Sequence, residues 1–233
     1  MRICETAATP CDDRCVSRFL SELLAFLPEE LPNRSGVAEQ SSRHLELIVE
    51  ANRQFNLTRI TGEREAAIKH VVDSLIPWQL FAGALRVVDA GSGAGFPGIP
   101  LAIVFPNVRF ILAESVGKKA RFIESAVQDL RLSNVHVVNR RAEEVLQTVR
   151  PDVLTARAVA PLTRAVPLFA AALKRGTSAL LYKGPDAQGE IGEAQTELRK
   201  HKLHAQVVMT YDLPDALGSR TLVRVAATGS APR

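Results

Sequence analysis

Three glycines at alternate positions, Gly91, Gly93 and Gly95, follow a short apolar run that ends at Asp89. Glycine is needed where the backbone takes a positive φ, or where a ligand approaches closer than a Cβ would allow. Glu114 comes 23 residues after Gly91, where the next apolar run ends. A carboxylate at that place can accept hydrogen bonds from the two hydroxyls of a ribose. These residue types and spacings predict a nucleoside site.

The residues after the glycines argue against a dinucleotide. A dinucleotide fingerprint needs a third small residue three positions after Gly93, so that a helix N-terminus can approach a pyrophosphate. That position is Phe96, and Pro97 after it has no amide hydrogen to donate. A ribose partner without phosphates favours S-adenosylmethionine, the methyl donor. A glycine turn is weak evidence by itself, so a nicotinamide site and a purely structural turn remain alternatives.

The elements around this motif predict an α/β fold with a doubly wound sheet. Apolar runs of strand length alternate with segments of helical periodicity from residue 86 to residue 202, which implies a parallel sheet covered on both faces. Residues 192–202 are predicted to form one last helix. The last two strands, residues 205–211 and 220–226, are joined by a loop too short for a crossover and should pair antiparallel. The expected fold is a seven-stranded Rossmann-like methyltransferase sheet over residues 81–227, with an antiparallel last strand.

Residues 1–80 are predicted to form a helical N-terminal extension that packs on this core. Apolar residues at helical spacing mark one helix between residues 14 and 27 and a second from Leu45 onward. Asn56, His70 and Asp73 follow among residues that should pack, and His70 and Asp73 share a helix face. They are interpreted either as a network that fixes a loop or as a wall of the ligand pocket. Residues 228–233 are expected to form a flexible tail.

Composition bounds the class of protein and its location. The net charge of +4 and the pI near 9.2 tolerate a polyanionic partner without proving one. We expect a cytoplasmic protein with no membrane contact, because the sequence has neither a secretory signal nor an apolar run near the roughly 20 residues of a membrane span. Cys4, Cys11 and Cys15 are interpreted as structural or incidental thiols. They fill no zinc site and form no disulfide framework, so no metal is expected.

The motifs together resemble one family, the RsmG (GidB) methyltransferases. Six segments carry the resemblance: NRQFNLTRI, HVVDSL, VVDAGSGAGFPGIPLAI, ESVGKKARF, ARAVAPL and YKG. The match runs from about Leu45 to Val225 and leaves out the first 40 residues. The family methylates N7 of a guanosine in 16S ribosomal RNA, guanosine 527 in standard rRNA numbering. The resemblance therefore implies an S-adenosylmethionine-dependent guanine-N7 methyltransferase that acts on 16S rRNA or the small ribosomal subunit. We expect it to be a monomer.

The resemblance also implies roles for single residues. Gly91 would contact the donor through its backbone, with Phe96 beside it. Ala142 and Glu143 would lie against the adenine, and Arg157 would face the methyl-transfer centre as the catalytic residue. Arg157 is suited to bind the guanine edge or a phosphate, but pairing with a carboxylate at the end of the sheet is the structural alternative. The full expected donor site comprises Gly91, Gly93, Phe96, Glu114, Ala142, Glu143 and Arg157.

Guanine N7 carries a free lone pair at neutral pH, so the predicted reaction needs no general base. Basic residues at the predicted strand ends are interpreted as a phosphate-binding rim: Lys118, Lys119, Arg140, Arg141, Arg157, Arg164 and Lys183. Three other functions remain open. The same fold can serve a methyltransferase for a small molecule or a protein, the glycine turn can serve a nicotinamide oxidoreductase, and the basic rim can serve an RNA-binding module without enzymatic activity.

Overall fold

The computed structural model describes residues 18–60 and 62–229. Within them, one sheet is formed by β1 (Arg86–Ala90), β2 (Arg109–Ala113), β3 (Val135–Val138), β4 (Val153–Arg157), β5 (Ser178–Lys183), β6 (Leu203–Asp212) and β7 (Ser219–Ala227). The spatial order is β3-β2-β1-β4-β5-β7-β6. The first five strands are parallel, and β7 runs antiparallel to both β5 and β6. The predicted seven-stranded sheet with an antiparallel last strand is confirmed.

The helices, in chain order, are α1 (Leu20–Phe26), α2 (Arg34–Asn52), α3 (Glu63–Ala66), α4 (Asp73–Leu75), α5 (Gly98–Val104), α6 (Gly117–Asp129), α7 (Ala142–Thr148), α8 (Leu162–Lys174), α9 (Ala187–Glu193) and α10 (Gln195–His201). A π-helical segment, Ala67–Val72, joins α3 to α4, and a 3-10 turn covers Trp78–Phe81. The prediction of a single helix over residues 192–202 is wrong, because the structure has two helices there, α9 and α10. Asp186 caps α9 by accepting from the amide of Gly189 at 3.2 Å, so that helix begins earlier and ends before Ala194.

The N-terminal extension shares its core with the sheet. Phe19 and Leu23 at the start of the extension and Leu45 of α2 belong to the same buried cluster as Phe110 and Leu112 of β2. Burial of these large side chains removes apolar surface from water on both partners at once, which holds the helices on one face of the sheet. The boundary predicted at residue 80 stays a prediction.

Two earlier expectations concern the ends of the chain. The amide of Thr228 donates to the carbonyl of Lys202 at 3.0 Å, so the predicted tail is anchored at its first residue. Residues 230–233 lie outside the described residues, as do Cys4, Cys11 and Cys15. Among the described helices, none combines the length and the apolar character that crossing a membrane requires.

Candidate active site

The glycine turn lies at the carboxyl end of β1, the central strand of the parallel part of the sheet. Gly91 and Gly93 adopt φ values of +68° and +62°. A Cβ on Gly93 would meet no side chain within 4 Å, whereas a Cβ on Gly95 would lie 2.6 Å from Cδ1 of Ile99. Gly95 is therefore required by packing, and a Cβ on Gly91 would be crowded by Val159 at 3.0 Å, whereas Gly93 leaves room for a ligand. The amide of Gly91 donates to the carbonyl of Ala113 at 2.8 Å and ties the turn to β2.

Glu114 fixes the turn from the end of β2. Its carboxylate is 5% exposed and accepts from the amide of Gly93 at 2.9 Å and from the amide of Val116 at 2.8 Å. Asn139 supports it by donating to the backbone carbonyl of Glu114 at 2.8 Å. Each carboxylate oxygen accepts more than one hydrogen bond, so capacity for ribose hydroxyls remains. The predicted position beside the glycines is confirmed, and the ribose contact stays a prediction.

Asp89, the last polar residue of β1, is a candidate that the sequence reasoning used only to mark the end of a strand. Its side chain is fully buried, and Oδ2 accepts from the amide of Gly98 at 3.1 Å. Oδ1 has no hydrogen-bond partner among the described residues. Burial raises the pKa of Asp89 to about 7, so the neutral and charged forms coexist near neutral pH. Asp89 therefore fixes the start of α5 from beneath the turn, through the amide of Gly98.

Phe96 lies inside an aromatic stack. The rings of His44 and His70 lie 4.8 Å and 4.7 Å from it, and the Arg157 guanidinium carbon lies 5.2 Å from its centroid. Burial lowers the pKa of His44 to about 4. Burial and the positive charge of Arg157 lower the pKa of His70 to about 3, so both imidazoles are neutral. Phe96 is 4% exposed and links the extension to the glycine turn, whereas its direct contact with a donor stays a prediction.

Arg157, at the end of β4, is held by the extension. One guanidinium nitrogen donates to the carbonyl of Lys69 at 2.8 Å and lies 3.3 Å from Oδ2 of Asp73. Asp73 also faces Nε of Arg220 at 3.5 Å, so one buried carboxylate serves two arginines. The structural alternative for Arg157 is thus present, with the carboxylate supplied by α4. Arg220 was missed by the sequence reasoning, because 147 residues separate it from Asp73 and no local pattern links them.

His70 and Asp73 both fix the structure and line a pocket. The Nε2 atom of His70 lies 3.1 Å from the Thr58 hydroxyl, which fixes the loop before α3, while Asn56 is exposed. A cleft of about 590 Å³ lies beyond the carboxyl ends of β4 and β5, and both residues line it. Val159 lines the same cleft and approaches the Cβ position of Gly91 at 3.0 Å, so the cleft adjoins the glycine turn. Five cationic side chains among the described residues contribute to its wall: Lys69, Arg157, Arg164, Lys183 and Arg220.

The remaining predicted residues are spread along this edge of the sheet. Ala142 is buried and Glu143 is half-buried in the first turn of α7, which follows β3 beside β2. The predicted rim residues at the starts of α6 and α7 are accessible: Lys118, Arg140 and Arg141 are exposed and Lys119 is half-buried. Lys183 differs, because its ammonium donates to the carbonyl of Ala160 at 2.6 Å and to Glu190 at 2.8 Å. A phosphate at Lys183 would compete with that ion pair.

The sheet order and the glycine turn place this protein in the class of proteins with a Rossmann-like methyltransferase fold. An O-methyltransferase from Bacillus cereus, solved in complex with SAH, superposes with a TM-score of 0.57 at 16% identity, over 91% of this chain and 97% of that chain. At this identity the likeness concerns the fold alone.

Sequence comparison gives the family. The model of the GidB family, described as rRNA small subunit methyltransferase G, matches residues 37–217. A protein of Solibacter usitatus called ribosomal RNA small subunit methyltransferase G is 61% identical over 207 residues, which is 89% of this chain and 99% of that protein. A protein of the same name from Carboxydothermus hydrogenoformans is 38% identical over 78% of this chain and 79% of its own. The chain belongs to this family, which confirms the resemblance found in the motifs.

Proposed function

We propose that this chain transfers the methyl group of S-adenosylmethionine to N7 of a guanosine in 16S ribosomal RNA, at guanosine 527. The observation that carries the proposal is the position of Val159, which lines the cleft and lies 3.0 Å from the Cβ position of Gly91, so the glycine turn adjoins the cleft with its five cations. A donor on the turn and a nucleotide in the cleft would meet there. The names of the relatives support the class of substrate, since they are ribosomal RNA small subunit methyltransferases.

The residues at the turn fit the donor. The backbone of Gly91 and Gly93 would lie against it, Glu114 would accept from the ribose hydroxyls, and Ala142 and Glu143 would flank the adenine. When bound, the donor supplies a methyl group activated by a positively charged sulfur. The chain itself supplies a rigid site, because Glu114 bonds the turn directly and the stack around Phe96 supports it from below.

Catalysis in this proposal rests on alignment. The N7 lone pair attacks without losing a proton, so the chain has no proton to remove. Correct orientation of two reactants lowers a barrier by about 7 to 11 kcal/mol in favourable cases. Arg157 is fixed by Asp73, by the carbonyl of Lys69 and by Nδ1 of His70 at 3.4 Å, which leaves its Nε and one hydrogen of Nη2 for the guanine O6 or a phosphate. The neutral imidazole of His70 completes the wall of the cleft.

The test uses labelled S-adenosylmethionine with unmodified 16S rRNA, and in a second arm with small subunits that carry the same unmodified RNA. We expect label in the RNA and chain cleavage at one N7-methylguanosine, at position 527. Label at another position, or in RNA that resists N7-specific cleavage, would reject the proposed specificity. Transfer to a free metabolite or a protein but not to RNA would favour the second methyltransferase alternative.

A separate binding test addresses the oxidoreductase alternative. S-adenosylhomocysteine should raise the melting temperature of the protein, since a ligand that binds only the folded state stabilises it. NAD should leave the melting temperature unchanged. The reverse result would remove the basis for a methyl donor at the glycine turn.

A further inference from the structure

Two aromatic rings, Phe55 and Phe122, and two cations line a groove on the other side of the glycine turn from the cleft. The groove has a volume of about 430 Å³ and lies between the end of α2 and one side of α6, from Lys118 to Ala126. Phe55 is half-buried in its wall, and Nζ of Lys118 lies 5.5 Å from the centre of that ring. Lys118 and Arg121 are both exposed, and neither forms an ion pair within the described part of the chain. Glu50 also lines the groove, but Arg43 lies 3.7 Å from its carboxylate.

The loop that presents Phe55 is fixed. Asn52 closes it with three hydrogen bonds, because Oδ1 accepts from the amides of Leu57 and Thr58 at 2.8 Å and 3.1 Å and Nδ2 donates to the carbonyl of Thr58 at 3.1 Å. The amide of Phe55 donates to the carbonyl of Ala51 at 3.1 Å. The ring therefore stands at the groove in a set position, and no ordering of the loop is needed before a ligand binds.

The groove opens at the same edge of the sheet as the donor turn. Its lysine, Lys118, stands in the first turn of α6, and the residue before that helix, Val116, donates its amide to Glu114. Because the strand order is β2-β1-β4, the turn after β1 lies between the groove beside β2 and the cleft beyond β4. Neighbouring strands are about 4.8 Å apart, so β2 and β4 are roughly 10 Å apart, and the position of the groove between two helices adds to this distance. One short stretch of a polymer spans that distance.

We propose that the groove binds a single-stranded nucleotide of the RNA substrate that lies within a few nucleotides of the one that is methylated. The base stacks on Phe55 in the place of the Lys118 ammonium, and Lys118 and Arg121 bind the phosphate. Single-stranded RNA is recognised by this combination of an aromatic ring and cations. An acidic peptide would use the two cations and leave the ring without a partner. The inference rests on the proposed function for the identity of the polymer and adds a second contact to it.

Stacking is measured directly with a fluorescent reporter. Trp78 is the single tryptophan of the chain, so Trp78→Phe combined with Phe55→Trp leaves one indole, at the groove. We expect a decamer of uridine or adenosine to quench this indole and an equal concentration of polyglutamate to leave it unchanged. Absence of quenching by RNA, or equal quenching by polyglutamate, overturns the stacking proposal.

Affinity supplies the second readout. Stacking on one aromatic ring is worth about 1 to 3 kcal/mol, so Phe55→Leu should weaken binding of the labelled decamer about five- to 150-fold, while Phe55→Tyr restores it. The matched control is Phe26→Leu, since Phe26 lies under the Arg64 guanidinium at 4.9 Å and lies outside the groove. Equal affinity of Phe55→Leu and Phe26→Leu overturns the proposal.

The two proposals fail separately. Binding of the decamer requires no methyl transfer, and S-adenosylhomocysteine affinity of Phe55→Leu should equal that of the unmodified chain. If the unmodified chain does not methylate 16S rRNA but the reporter is quenched, the proposed specificity is rejected and the proposed nucleotide groove is supported. If the unmodified chain methylates the RNA and Phe55→Leu binds the decamer normally, the proposed nucleotide groove is rejected and the proposed function is supported.

Discussion

Replacing Asp73 by asparagine tests whether one buried carboxylate holds the catalytic edge together. Asp73 is 1% exposed and faces Arg157 at 3.3 Å and Arg220 at 3.5 Å. It also accepts from the hydroxyl of Tyr211 at 3.0 Å. Asparagine keeps the shape and one oxygen acceptor but removes the charge. Two guanidiniums then share the site without a counter-ion.

The size of the effect follows from these contacts. A hydrogen bond to a charged group contributes about 1.5 to 3 kcal/mol, and breaking a buried ion pair costs about 3 to 5 kcal/mol. The side chains of Arg157 and Arg220 are 17% and 26% exposed, so water compensates part of the loss. We therefore expect Asp73→Asn to lower the free energy of unfolding by about 3 kcal/mol. In a domain of this size that corresponds to about 6 to 12 °C in melting temperature.

Urea unfolding at pH 7 measures this loss, with Glu65→Gln as the control. Glu65 pairs with Lys69 at 2.6 Å, but its side chain is 41% exposed, so removing its charge should cost no more than about 0.5 kcal/mol. Asp73→Asn should unfold at clearly lower urea with an unchanged slope. A free energy within about 0.5 kcal/mol of the unmodified chain would refute the view that this carboxylate is the anchor of Arg157.

Three further outcomes test other parts of the site. Gly91→Ala should abolish measurable binding of S-adenosylhomocysteine in calorimetry. The control is Gly176→Ala, because Gly176 also has a positive φ but lies in open space. This control should lower the free energy of unfolding by only about 1 kcal/mol and leave the binding intact. Burial raises the pKa of Asp89 to about 7, from an unfolded value near 4. The stability that this group contributes to the unmodified chain is therefore complete below about pH 4 and is lost as the pH rises to 7. Asp89→Asn does not titrate, so in urea titrations it should gain stability relative to the unmodified chain between about pH 5 and 7.5. Charge reversal at Lys118 and Arg141 should weaken RNA binding and flatten its dependence on salt in filter-binding titrations, and an unchanged slope would exclude them from the phosphate contacts.

Local sequence patterns were enough for most of the sheet. The apolar run that ends at Asp89 matches β1, because an apolar run before turn residues specifies a buried strand without help from distant contacts. The position of Glu114 beside Gly93 was also predictable, since both follow neighbouring parallel strands that end at one edge. The pair of helices α9 and α10 was not, because Ala194 continues the helical pattern and yet divides it.

Contacts between residues that are far apart in the chain could not be predicted from the sequence. The ring of His44 packs against Phe96 from 52 positions earlier in the chain, and Arg157 pairs with Asp73, 84 positions before it. No periodicity encodes such pairs, because they depend on how separate elements pack. For the same reason two interpretations of His70 stayed open, as a loop-fixing group and as a pocket wall, and the structure shows that it is both.

The charge of the cleft explains why Asp73 should matter to the reaction as well as to stability. Methyl transfer to N7 moves positive charge from sulfur to the base, and a wall of cations opposes that movement although it attracts RNA. Asp73, between Arg157 and Arg220, lowers this opposition, and a charge fixed in advance costs no reorganisation during the reaction. If the proposed reaction is correct, Asp73→Asn should lower kcat at temperatures where the variant is folded and leave KM for RNA unchanged or smaller. A rise in KM with an unchanged kcat would instead show that Asp73 acts only by shaping the RNA site.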